Sequence, residues 1–139
     1  MDYKLYETVN TRIQNGQNKM AKILFIDDDT HTLTLMEQIA RILGHEAYLC
    51  PAAKNAMNMA LEIIPDLIMI DINMQEISGF EVVKYLRKED LTKQIPIIFL
   101  SASEPDFETE KAISVGANGF LPKPLTIRDL ETVVARFNI

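Results

Sequence analysis

The stretch KILFIDDDTHT, Lys22–Thr32, runs four apolar residues straight into three carboxylates, Asp27, Asp28 and Asp29. A short apolar run that stops at polar residues reads as a strand buried on both faces, as in the middle of a parallel sheet. Three adjacent like charges repel one another, so something at the end of this strand must offset them. Just beyond, Leu33, Met36 or Glu37, Ile39, Ala40 and Leu43 recur at helical spacing, and Gly44 suits a helix C-terminus. The opening unit is therefore strand, acidic turn, helix.

The same unit repeats downstream. EAYLC (46–50) reads as a second strand and residues 52–63 as a helix stopped by Pro65. DLIMID (66–71) is a third strand, followed by a helix over 78–89 with Phe80, Val82, Val83 and Leu86 inward. IPIIFLS (95–101) is a fourth strand, followed by a helix over 105–115 that stops near Gly116. GFLP (119–122) is a short fifth strand. A last helix over 126–137 carries Ile127, Leu130, Val134 and Phe137 on one stripe. Five strands alternating with five helices predict an α/β fold: a doubly wound, five-stranded parallel sheet with helices on both faces. In such sheets the functional crevice lies at the carboxyl ends of the strands, near the point where strand order reverses.

Residues 1–20 differ from the rest. They are polar, with only a thin apolar spacing at Leu5, Val9 and Ile13, and are expected to be an extension that is part helical or disordered. The patterned domain spans 21–139. The chain has 139 residues, 47% of them hydrophobic, enough for one domain with a sizeable core. A net charge of −6 argues against a bare nucleic-acid-binding surface. The single cysteine, Cys50, permits no disulfide within the chain and fits a reducing compartment. No apolar run approaches the ~18 residues of a membrane span, and the N-terminus lacks a signal-peptide core. A cytoplasmic protein without membrane or direct nucleic-acid partners is expected.

Polar residues collect at the predicted carboxyl ends: Asp27–Asp29 after the first strand, Asp71 ending the third, Ser101 ending the fourth, Lys123 just after the fifth. Each alone has an ordinary explanation, as a helix cap, a turn residue or a solvated charge. Together, on one rim, they place carboxylates, a hydroxyl and an ammonium in one site. Clustered carboxylates without histidine or cysteine suit a hard cation such as Mg²⁺. A further carboxylate nearby could attack phosphorus and become an aspartyl phosphate. An ammonium and a hydroxyl would then hold the remaining phosphoryl oxygens.

The ordered pieces ILFIDDD, DLIMIDINM followed by SG, IIFLSAS and GANGFLPKPL resemble a response-regulator receiver domain of two-component signalling, over about residues 21–138. The resemblance implies a CheY-like, flavodoxin-like sheet of strand order 2-1-3-4-5. It makes Asp71 the phosphoacceptor, Asp28 a direct Mg²⁺ ligand and Asp27 an acid acting through a metal-bound water. Asn73 would offer its backbone carbonyl to the metal. Ser101 and Lys123 would bind phosphoryl oxygens, Lys123 pairing with Asp71 beforehand. The Lys123–Pro124 bond would be cis. Ser101 and Phe120 would form the switch, although Phe120 also reads as a plain strand residue. Asn73, Ala102 and Ser103 would tune access and phosphoryl lifetime. Gly79 suits a turn at the third helix. Asp29 has no role to carry over and is expected to start the first helix, by its charge at the helix dipole or as a cap with Thr30. One departure is Gln75, where the family usually has proline; it leaves the stiffness of that loop open.

The resemblance implies a phosphohistidine donor, from a sensor histidine kinase or a histidine phosphotransfer protein, and an output protein or domain as the receiver of the signal. A stand-alone receiver and a piece of a longer regulator or hybrid kinase both stay open, as does homodimerisation through the fourth-helix to fifth-helix face. Two rivals are weaker. A haloacid-dehalogenase-type phosphatase would use Asp27 and Asp29, but His31 breaks its motif and Glu104 and Asp106 make a poor late acidic pair. A receiver used only for docking would have no need of an intact acid set.

Overall fold

A computed structural model describes residues 20–102 and 105–139. The expected extension at 1–20 therefore lies almost wholly outside the described residues, as do Ser103, Glu104 and the side chain of Asp106. Five strands alternate with five α-helices: β1 Lys22–Ile26, α1 Thr30–Ile42, β2 Glu46–Cys50, α2 Ala56–Ile63, β3 Leu67–Asp71, α3 Gly79–Lys88, β4 Ile97–Ser101, α4 Pro105–Ser114, β5 Gly119–Pro122 and α5 Ile127–Arg136. All strand pairs are parallel, in the order β2-β1-β3-β4-β5. The helix predicted over 52–63 comes in two pieces, a 3₁₀ turn at Ala53–Asn55 and then α2.

Alternation along the strands divides the core in two. Leu24 and Ile26 of β1, Ile68 and Ile70 of β3, and Ile97 and Phe99 of β4 pack with Ala56 and Ala60 of α2, Phe80, Val83 and Leu86 of α3, and Ala112 of α4. The intervening residues Ile23, Phe25, Leu67, Met69, Ile98 and Leu100 pack with Leu33, Met36, Ile39 and Ala40 of α1 and Leu130, Val133 and Val134 of α5. Period-two side chains on a strand buried on both faces supply both halves at once. β3 and β4 are buried at all five positions each.

Loop chemistry closes the elements. At the end of α1, Gly44 takes φ +83, its N–H bonds to the carbonyl of Arg41 and that of His45 to Ala40. This is a Schellman closure, which favours a residue without a Cβ. A capping box between Thr126 and Asp129 starts α5. Arg87 of α3 ties down the far rim: its guanidinium donates to the carbonyls of Gly116, Lys93 and Ile95 at 2.8, 3.1 and 2.8 Å and to Asn118 Oδ1 at 2.8 Å. Among the described residues, no helix is long and apolar enough to cross a membrane.

Candidate functional site

Register assembles the site. Ile26 of β1 pairs with Ile70 of β3, so the next residues, Asp27 and Asp71, leave neighbouring strands at the same level. Asp71 in turn pairs with Leu100, which sets Ser101 one residue further along β4. Ser101 pairs with Pro122, and the Lys123 N–H bonds to its carbonyl at 2.9 Å. Four strand ends therefore converge on one rim, at the β1/β3 reversal of strand order.

The three consecutive aspartates separate into three environments. Asp27 is fully buried; its Oδ1 accepts the Asp29 N–H at 2.9 Å, and its Oδ2 lies 2.6 Å from Lys123 Nζ. Asp28 is exposed, and its Oδ2 accepts the backbone N–H of Gln75 at 3.0 Å. Asp29 caps α1, accepting from the His31 N–H and the Thr32 hydroxyl, both at 3.0 Å. The Thr32 hydroxyl first, then the His31 N–H, hold the Asp29 carboxyl below its ordinary range. Asp29 is thus a side-chain cap of its own, without Thr30.

Asp71 is buried, with its Oδ1 accepting the Asn73 N–H at 3.2 Å and its Oδ2 lying 3.3 Å from Lys123 Nζ. Burial pushes its carboxyl up, and the charge of Asp27 adds to that; Lys123 and the Asn73 N–H pull the other way without cancelling it. Burial alone would lower the Lys123 ammonium, but Asp27 and Asp71 outweigh it and hold it above its usual value. The lysine expected to pair with Asp71 is shared, and its shorter contact is to Asp27.

One oxygen each of Asp27, Asp28 and Asp71 lie within 4.8 Å of one another. Three carboxylates face a single ammonium, and the group offers only hard oxygen donors. These residues fit a divalent cation such as Mg²⁺.

Of the other candidates, Ser101 is fully buried, while Asn73 and Ala102 are exposed. The Lys123–Pro124 bond is cis. Phe120 of β5 is half-buried and packs against the α2, α3 and α4 half of the core. Ser103 lies outside the described residues. Gly79 is the first residue of α3 and serves close approach rather than a turn. A Cβ there would overlap the backbone carbonyl oxygen of Asp71 and stand 3.0 Å from Ile72 Cα.

Two contacts were not visible from sequence: the short Lys123–Asp27 pair and the Gln75 N–H on Asp28. The first needs a side-chain path that spacing does not give. The second had a signal, the amide that a non-proline residue keeps at position 75.

The chain matches the family model described as response regulator receiver domain across residues 23–135. It is 29% identical over 112 residues to the polar-differentiation response regulator DivK of Brucella anthropi, covering 80% of this chain and 91% of that protein. In structure it is similar to chemotaxis protein CheY4 of Vibrio cholerae, with TM-score 0.80, 28% identity, and 86% and 99% of the two chains covered. A response regulator structure from Chloroflexus aurantiacus gives TM-score 0.80 at 27% identity, covering 86% and 98%.

Proposed function

The chain belongs to the response regulator receiver family, and from that premise we propose that it accepts a phosphoryl group on Asp71. Receiver domains are signalling domains that work with histidine kinases and output partners and bind Mg²⁺ at an acidic site. The observation that carries the proposal for this chain is the geometry around Asp71: a buried carboxylate with Asp27 and Asp28 in reach and Lys123 at 3.3 Å.

An Asp71 oxygen attacks the phosphorus of a phosphohistidine from a sensor kinase or phosphotransfer protein. The P–N bond breaks, its electron pair stays on the imidazole, and an acyl phosphate forms on Asp71. Asp27, Asp28, Asp71 and the Asn73 carbonyl would hold Mg²⁺, which when bound neutralises phosphoryl charge. Lys123 leaves Asp71 for a phosphoryl oxygen while keeping its contact to Asp27. The Ser101 hydroxyl takes another oxygen, and Phe120 moves inward into the space released. The α4–β5–α5 face changes shape as a result, a shift between two packings driven by contacts that only the phosphate makes. Asn73 and Ser103 tune the phosphoryl lifetime, and the small Ala102 leaves the site open to the donor. The domain catalyses only its own phosphorylation and dephosphorylation. The net charge of −6 and the lone, buried Cys50 support a cytoplasmic protein whose partners are proteins, with homodimerisation through the switch face as one output.

The test is labelling with acetyl phosphate and Mg²⁺, read as added mass. The wild type is expected to gain one phosphoryl group and Asp71→Asn none. Full labelling of Asp71→Asn overturns the assignment.

A further inference from the structure

We propose that the backbone N–H of Gln75 positions Asp28 for the divalent cation, so that Gln75 is a positioning residue of the metal site. This rests on the reading of Asp28 as a metal ligand given above. The N–H reaches Asp28 Oδ2 at 3.0 Å, joining residues 47 apart in the chain. Proline at this place has no N–H to give. The contact therefore exists because the residue there is not proline, and the glutamine side chain plays no part in it.

Asp28 needs such a contact more than its neighbours do. Asp27 and Asp71 are buried and share Lys123, whereas Asp28 is exposed. An exposed carboxylate samples several rotamers, and a cation must select one of them. An amide on one oxygen makes that selection in advance and leaves the other oxygen for the ion.

Gln75 is itself held from the other side. Its carbonyl accepts the Ile77 N–H at 2.8 Å, a γ-turn with Glu76 at its centre and φ +70. A non-glycine residue with positive φ stores strain that its surroundings must offset. The same loop is anchored by the Asn73 N–H on Asp71 Oδ1 at 3.2 Å and the Gly79 N–H on the Ile72 carbonyl at 2.9 Å. Two amides two residues apart thus grip two of the three carboxylates, and the loop sets the distance between the phosphoacceptor and Asp28.

The experiment compares Gln75→Pro with Gln75→Ala, which differ in the N–H, by titrating Mg²⁺ alone and following amide resonances. Partners that orient a metal ligand commonly carry ten- to a hundredfold in affinity, so the proline variant should bind Mg²⁺ about tenfold more weakly than the alanine variant. Equal affinities overturn the proposal. A second measurement, Asp28→Ala against the wild type, needs no folded proline variant. Asp28→Ala should shift the Gln75 amide proton upfield and speed its exchange; an unmoved resonance overturns the proposal. A wild type that takes no Mg²⁺ overturns the metal reading itself, a result distinct from equality of the two variants.

Discussion

Lys123 Nζ stands 2.6 Å from Asp27 Oδ2 and only then, at 3.3 Å, from the Asp71 carboxylate that it is expected to serve. The lysine is therefore anchored on Asp27 and lent to Asp71. Its side chain is 18% exposed, while both acids are buried. Replacing it by methionine leaves two facing carboxylates without their cation. Breaking a buried pair costs ~3–5 kcal/mol, and the partial exposure of Lys123 puts the expected loss nearer ~2 kcal/mol. Urea unfolding of Lys123→Met in EDTA should show that loss, and Mg²⁺ should restore part of it, because a cation that binds only the folded state stabilises it. A variant as stable as the wild type in EDTA would mean that the pair contributes nothing.

The Asp71 carboxyl is raised by burial and then by Asp27, so the folded chain holds that proton more tightly than the unfolded one. A raised acid penalises folding above its folded pKa, and the penalty fades as pH falls toward the ordinary value of 3.8. Asp71→Asn should accordingly be more stable than the wild type at neutral pH without metal. The difference should shrink as pH drops through the window between the raised value and 3.8. Paired urea titrations at several pH values check this; a difference that grows on acidification contradicts the sign.

Arg87 holds three carbonyls and Asn118 Oδ1 at 3.1 Å or closer, joining the loop before β4 to the turn before β5. Burial lowers its pKa, and none of these acceptors is a carboxylate. A lysine keeps the charge but cannot span a fork of acceptors. Of these acceptors only the Ile95 carbonyl is part-buried, the others being open to water. An acceptor left without a donor costs ~1–3 kcal/mol when buried, so Arg87→Lys should lose ~1–2 kcal/mol. Chemical denaturation measures it, and a loss below ~1 kcal/mol would mean that water replaces the guanidinium.

Ile64 ends α2 in the left-handed region, φ 48 and ψ 67, just before Pro65, and is 41% exposed. A Cβ in that region costs ~1–2 kcal/mol, partly offset by the entropy glycine gains when unfolded. Ile64→Gly should raise stability by ~0.5–1 kcal/mol in urea unfolding. A decrease would show that the buried part of the isoleucine outweighs the strain.

The central strands β1, β3 and β4 could be read from sequence because parallel strands buried on both faces become unbroken apolar runs, and the edge strands because short apolar stretches stand between helix patterns. EAYLC and GFLP match β2 and β5 to the residue. The rim could be read because Asp27, Asp71, Ser101 and Lys123 sit where those runs end. What escaped depends on direction rather than position. Whether Lys123 prefers Asp27 or Asp71 depends on how the turn after β5 aims its stem. Nothing in the sequence marks Arg87, because three of its acceptors are backbone carbonyls, which carry no sequence signal. Gln75 reads as a missing proline, while the structure adds an N–H bonded to Asp28. Gly79 reads as a turn, whereas the actual constraint is the Asp71 carbonyl behind it.

That constraint makes Gly79→Ala a test of how tightly the fold holds Asp71. The first turn of α3 packs directly on the Asp71–Ile72 backbone, and an alanine Cβ would overlap the Asp71 carbonyl oxygen. Backbone cannot rotate aside as a side chain can, so either α3 or the end of β3 must move. Overpacking of this kind costs ~1–3 kcal/mol. The part that matters for function is displacement of Asp71 relative to Lys123 and Asp28. A misplacement of ~1 Å costs on the order of a hundredfold in rate when reacting groups must be aligned. Gly79→Ala should therefore lose far more labelling by acetyl phosphate than stability, with the unphosphorylated variant still cooperatively folded by urea titration. Labelling at the wild-type rate in a folded variant would show that α3 shifts and Asp71 does not.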